Sequence, residues 1–192
     1  MTSQTKTKAK IPEMSLLVTR ILFTSFFLGA GLYDFIYVVL HATDYLWTLL
    51  YTIPLVLVNA FALSYFIFNR YKEKEDLPDK TILYVSISHF FLWVLCLLGL
   101  GRLDGEAGLV AFGLSWPLSI LFAIVILFSV LSLALKKKEK KIASFFYYAS
   151  LICCFFALFG FSVLIAYQSF FIFGGVLYGI GSLLFLISGS LK

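Results

Sequence analysis

The chain has 192 residues, 61% hydrophobic and 13% charged, with a formal net charge of +5. A soluble domain averages about 45–50% apolar and about 25% charged residues. Departure from both in the same direction excludes a soluble globular domain, a disordered tail and a disulfide-stapled secreted module. A membrane-spanning helix needs about 20 apolar residues, so six of them occupy roughly 120 and leave little for any extramembrane domain. The expected fold class is all-α, a polytopic six-transmembrane-helix bundle forming a single domain over residues 14–192.

Residues 1–13, MTSQTKTKAKIPE, are polar, basic and aperiodic, which reads as a flexible basic cytoplasmic tail. The first apolar run, about 14–40, is longer than the roughly 7–15 residues of a secretory signal. Gly29-Ala30-Gly31 carries no clear cleavage signature, so this run reads as an uncleaved first helix. The later helices are expected at about 45–69, 81–100, 109–135, 142–167 and 170–191. They are separated by the turn 41–44, the charged loop 70–80, the Gly-bounded loop 101–108, the KKKEKK cluster at 136–141 and the turn at Gln168-Ser169. Ser25-Phe26-Phe27 and Ser169-Phe170-Phe171, each followed by glycines, hint at an inverted repeat, but the match is too short to carry weight.

Orientation follows from the basic residues. With the N-terminus inside, the inner segments hold Lys6, Lys8, Lys10, Arg20, Arg70, Lys72, Lys74, Lys80, Lys136, Lys137, Lys138, Lys140, Lys141 and Lys192. That is 14 of 15, and only Arg102 falls outside. Basic excess on one side is the positive-inside signature. It predicts cytoplasmic N- and C-termini in a plasma (inner) membrane. The lipid bilayer is the expected partner. No nucleic acid is expected, because there is no domain to carry a basic groove.

Helices in lipid pack through small residues and keep polar groups off the lipid face. In the first helix Arg20, Thr24, Phe27, Gly31, Asp34, Val38 and His41 step alternately by four and three, which places them on one face. Thr48, Thr52, Asn59 and Ala62 repeat the pattern in the second helix, and Ser86, His89, Trp93 and Cys96 in the third. The fourth offers Ser115, Ser119 and Ser129 with a Pro117 kink, and the fifth Tyr147, Ser150, Cys154 and Ala157. The polar stripes are densest on the first three helices, which implies a polar seam between them. In the sixth, Gly175, Gly179, Ser182 and Gly189 form a smooth ridge. It suits packing first; the alternatives are a permeation or gating surface and a homo-oligomer or membrane-partner contact.

Asp34 is the sharpest candidate, since a central acidic residue costs about 2.5–3.5 kcal/mol on insertion scales. It lies roughly 9 Å in from the outer end of its helix. His89 is near mid-helix, and its imidazole needs a donor and an acceptor, for which Asn59 at comparable depth is a candidate and Ser86 is one turn away. Asp34, Asn59, His89, Ser86 and Thr52 are therefore the candidate substrate or proton-path residues. A direct Asp34–His89 pair is not expected, because the two differ in depth by roughly 9 Å. The outer-face group His41, Asp44, Asp104 and Glu106, with Arg102, suits a cation or a lipid headgroup.

No catalytic motif appears: there is no G-x-S-x-G elbow, Walker sequence or H-E-x-x-H spacing. No metal or cofactor is expected, and with only His41 and His89 a bis-histidine haem is not either. Cys96, Cys153 and Cys154 form no C-x-x-C pair and read as small buried apolar residues. A vicinal Cys153–Cys154 redox pair is disfavoured because helical neighbours point about 100° apart.

In size and helix number the chain is similar to acetate-transporter-type and urea/amide-channel-type proteins, and to the substrate-binding subunits of energy-coupling-factor transporters. The similarity ends at architecture. Residues 11–17, IPEMSLL, do not match the N-P-A-P-L-G-L entry of the acetate transporters, and the A-x-x-x-A docking motif is absent from the first helix. The leading expectation is a small-solute channel, permease or membrane-embedded binding subunit. Two others stay open: a non-catalytic assembly, accessory or immunity-type protein, and a lipid- or isoprenoid-modifying enzyme using the outer-face group.

Overall fold

In hydrocarbon every backbone N–H and C=O must be paired within the protein, and a helix pairs its own. The computed structural model describes residues 10–41, 49–68, 80–100, 106–167 and 172–191. Among them are six helices and no strand: α1 (Lys10–His41), α2 (Leu49–Phe68), α3 (Thr81–Leu100), α4 (Glu106–Leu135), α5 (Lys140–Tyr167) and α6 (Ile172–Ser190). Four stretches, Ser15–Leu40, Ser115–Leu135, Lys140–Ala166 and Ile172–Ser190, are long and apolar enough to cross a membrane. Thr52–Tyr65 in α2 and Thr81–Leu97 in α3 are shorter apolar stretches.

The helix bounds depart from the sequence reading chiefly at the start of α1. It begins at Lys10, so residues 10–13 of the expected tail are helical. Pro12 sits in the first turn, where its missing N–H deprives no intrahelical bond. Pro54 and Pro117 lie inside α2 and α4, which continue through them. The lysine cluster divides. Residues 136–138 turn, with the N–H groups of Lys138 and Glu139 both donating to Leu135 O at 3.0 and 2.9 Å, and α5 opens at Lys140. Ser132 Oγ braces this hairpin by donating to Ala143 O at 2.7 Å.

Each helix packs on the next in the chain, α6 closes back on α1, and α3 also reaches α5. Cross-helix contacts give the register. Along α1 and α6, Phe23 meets Phe185, Phe27 meets Tyr178, and Tyr33 meets Phe173, so the two run antiparallel. Arg20 donates from Nη2 to Thr81 Oγ1 at 3.4 Å and Phe27 faces the His89 ring, so α1 and α3 run parallel. Trp93 Nε1 donates to Ser119 Oγ at 3.0 Å between α3 and α4. Ser86 Oγ gives its own proton to Ile82 O, so the Cys154 thiol is the donor in the 3.7 Å Ser86–Cys154 contact that joins α3 to α5.

The distribution of side chains is inverted relative to a soluble protein. Arg20, Thr24, Asp34, Thr52, Asn59, Ser86 and His89 are buried, while Val39, Leu57, Phe61, Phe91, Ile120, Phe145, Phe156 and Val176 stand exposed. Large apolar surfaces of this kind are not kept in water by a soluble monomer. The architecture is that of a membrane-embedded helical bundle.

The glycine ridge of α6 packs within the chain. Gly175, Gly179, Ser182 and Gly189 are all buried, and the face they form is taken by α5 of the same chain. A Cβ on Gly175 would lie 2.5 Å from the Ala166 Cβ and 2.8 Å from Ser162 O, and one on Gly189 would overlap Leu151. In this chain the ridge serves the close approach of α5 and α6.

Candidate functional site

Most buried hydroxyls in the bundle satisfy themselves locally. Thr24 Oγ1 donates to Arg20 O, Ser150 Oγ to Tyr147 O and Ser182 Oγ to Tyr178 O. This i−3/i−4 back-bonding is the usual refuge of Ser and Thr inside a helix. Against that background a few buried atoms lack any hydrogen-bond partner: both carboxylate oxygens of Asp34, Thr52 Oγ1, His89 Nε2, Ser129 Oγ and Tyr178 OH. Leaving such a group unpaired costs about 1–3 kcal/mol, and more when it is charged.

Asp34 and Thr52 lie at the same level of the bundle. A Cβ on Gly31 would meet Leu55 Cγ at 3.2 Å and Val56 Cγ2 at 3.1 Å, which sets the α1–α2 register. One turn on, toward the C-terminal end of α1 and the N-terminal end of α2, come Asp34 and Thr52, at the same level, and both are 0% exposed. On the other side Asp34 lies against the first turn of α6, where a Cβ on Gly174 would overlap Oδ1 and sit 2.9 Å from Cγ. Tyr33 and Phe173 pack edge to face at 5.0 Å beside it, on the more exposed side of the same α1–α6 junction. The candidate site is thus a carboxylate packed between α1 and α6, with a buried hydroxyl of α2 at the same level.

Its electrostatics are one-sided. The Lys and Arg among the described residues are Lys10, Arg20, Lys80, Lys136, Lys137, Lys138, Lys140 and Lys141. Lys10 and Arg20 lie in the N-terminal half of α1, Lys80 precedes α3, and the rest lie in or beside the α4–α5 turn, all toward the end of the bundle opposite Asp34. Arg20, the nearest along α1, is about 21 Å away at 1.5 Å per residue.

A second group of polar atoms sits deeper. The Phe27, His89 and Tyr178 rings are mutually packed, with centroids 5.2 Å (Phe27–His89), 4.5 Å (Phe27–Tyr178) and 5.8 Å (His89–Tyr178) apart. Phe161 and then Trp93 extend the cluster at 5.3 and 6.1 Å. His89 Nδ1 is 2.8 Å from Val85 O. A carbonyl only accepts, so Nδ1 carries the hydrogen and Nε2 of the neutral ring is a bare acceptor. Asp34 is about 10 Å farther out along α1 than Phe27, so the structure keeps Asp34 and His89 apart.

The sequence candidates therefore separate. Asp34 and Thr52 share a level, His89 lies in the aromatic centre, and Ser86 engages Ile82 O and Cys154. The Asn59–His89 hydrogen bond does not form: Asn59 Nδ2 donates to Leu55 O at 2.9 Å and His89 Nε2 has no partner. The seam is also wider than helices α1 to α3, because α6 supplies both Gly174 and Tyr178. Asp44 and Asp104 lie outside the described residues. His41 and Glu106 end α1 and begin α4, and their side chains lie outside them too. Among the described residues no three His, Cys, Asp or Glu side chains gather as a metal group.

Gly174 and Tyr178 were missed as site residues, yet a signal exists. Gly174, Tyr178, Gly181 and Phe185 step by four, three and four, the same one-face spacing that marked α1, and all are buried. No family model, curated protein or solved structure matches the chain. The functional reading therefore stands on this geometry.

Proposed function

We propose that the protein is a small-solute permease or membrane-embedded substrate-binding protein whose polar site is the Asp34–Thr52 pair. One observation carries the reading: a fully buried carboxylate with no hydrogen-bond partner, level with a fully buried hydroxyl that also has none. Ionisable groups inside membrane helices are costly and mark substrate or ion pathways by default. A purely structural aspartate would be expected to hold a donor, as the back-bonded hydroxyls elsewhere in the bundle hold acceptors.

The reading places all six helices across the bilayer. The 20-residue helices α2 and α3 are long enough at 1.5 Å per residue to cover about 30 Å of hydrocarbon. The described basic residues gather toward one end of the bundle, which supports cytoplasmic termini; on this reading Asp34 belongs to the outer half, in a plasma-type membrane.

Osmotic swelling of proteoliposomes tests this with urea, glycerol, sodium acetate and methylammonium chloride as solutes. At least one is expected to enter faster than through protein-free vesicles, and the increment to fall at least tenfold in Asp34→Asn and clearly in Thr52→Val. Both variants should keep the wild-type melting temperature. Entry no faster than through protein-free vesicles for every solute, or an increment retained in both variants, rejects the reading.

A further inference from the structure

Both polar side chains of the outer site offer oxygens. Asp34 presents Oδ1 and Oδ2, Thr52 presents Oγ1, and none of the three has a partner. A carboxylate in a low-dielectric interior needs a compensating positive charge or donors. Every Lys and Arg among the described residues lies toward the far end of the bundle, so none of the described residues supplies a counter-charge there. From this we propose that Asp34 and Thr52 bind a small protonated amine, with the ammonium as the missing counter-charge. The inference rests on the permease reading and names its substrate class.

The donor count favours an ammonium over a bare metal cation. A primary ammonium has three N–H donors in rotatable positions, and Asp34 and Thr52 between them carry three unpartnered oxygens. A hard divalent cation takes about six to eight oxygens, and no group of three acidic, His or Cys side chains stands among the described residues. The guest is small. Asp34 and Thr52 are both 0% exposed, Leu55 and Val56 close the inner side against Gly31, and the Gly174 backbone abuts the carboxylate.

Thermal unfolding of the purified full chain in detergent tests the proposal, with methylammonium, tetramethylammonium and sodium chlorides at equal concentration and fixed pH. Tetramethylammonium has the charge without N–H donors. Methylammonium should raise the melting temperature saturably by about 2–4 °C above the other two salts. The shift should vanish in Asp34→Asn and its midpoint move about tenfold higher in Thr52→Val. Labelling of wild-type Asp34 by dicyclohexylcarbodiimide, followed by mass spectrometry, gives a variant-free check: methylammonium should slow it and sodium should not.

Equal shifts from all three salts, or an unchanged methylammonium shift in Asp34→Asn, overturn the proposal. So does labelling that methylammonium does not slow. If methylammonium has no effect while swelling with a neutral solute still depends on Asp34, the amine assignment falls and the permease reading stands. If swelling is also absent for every solute, both fall.

Discussion

Gly174 has no side chain at the one place on α6 where a Cβ would overlap Oδ1 of Asp34. The carboxylate lies where that side chain would be, which couples the most costly group in α1 to the first turn of α6. Gly174→Ala should therefore destabilise by about 1–3 kcal/mol through overpacking, read as a fall in melting temperature. Gly113 is the control, because a Cβ there meets nothing within 4 Å. Gly113→Ala should leave the melting temperature unchanged or slightly raised, since alanine favours a helix over glycine by about 0.5–1 kcal/mol. In the double variant Gly174→Ala with Asp34→Ser, the shorter side chain should recover part of the loss. Independent, additive effects of the two changes would show that the contact is not what makes Gly174 necessary.

The α6 ridge leads to a different expectation from that of an oligomer seam. A Cβ on Gly175 would crowd Ala166 and Ser162 O, and one on Gly179 would lie 3.4 Å from Ser162 Oγ, all within one chain. Gly175→Leu should lower the melting temperature strongly and leave the molecular mass in detergent unchanged, measured by light scattering on whatever folds. Gly179→Ala has more room and should cost less. A Gly175→Leu protein that kept its melting temperature but changed its oligomeric state would return the ridge to an intermolecular role.

How much of this was legible in the sequence can be judged residue by residue. The α1 stripe was readable because its polar members recur at helical spacing, and Arg20, Thr24, Phe27, Asp34 and Val38 are all buried. The bounds of α3 were readable because Lys80 and Gly101 interrupt a clean apolar run. The Asn59–His89 bond failed for a physical reason. Rise per residue gives depth, but rotation of each helix about its axis decides whether two side chains meet, and no single helix encodes that. Gly174 and Gly175 make the same point. Adjacent on the chain, they face α1 and α5 respectively, because a helix wedged between two neighbours is approached from two sides.

Tyr178 is a test of whether the bundle centre holds a guest. Its hydroxyl is buried without a partner in the same cluster as the bare Nε2 of His89, with ring centroids 5.8 Å apart. If the centre is occupied only by protein, Tyr178→Phe removes an unpaired polar atom and keeps the ring. The melting temperature should then hold or rise, since the hydroxyl costs about 1–3 kcal/mol while unpaired. A fall of several degrees would mean that the hydroxyl has a partner, with a buried water between Tyr178 and His89 the simplest candidate.

The three cysteines should differ in reactivity according to where their helices turn them. Cys96 and Cys154 are buried, whereas Cys153 is half-buried, and the Cys154 thiol is engaged with Ser86. A thiol must reach both the reagent and a base to react, so a membrane-permeant maleimide should modify Cys153 first. Cys96 and Cys154 should follow only after denaturation, each site resolved by peptide mass spectrometry. The same geometry argues against a vicinal disulfide. Cys154 points inward to α3 while Cys153 is turned about 100° away on the helix, so mild oxidation should leave all three thiols free. Early labelling of Cys154 in the folded protein would require α5 to rotate relative to α3, and with it the packing that carries Ser86 and His89.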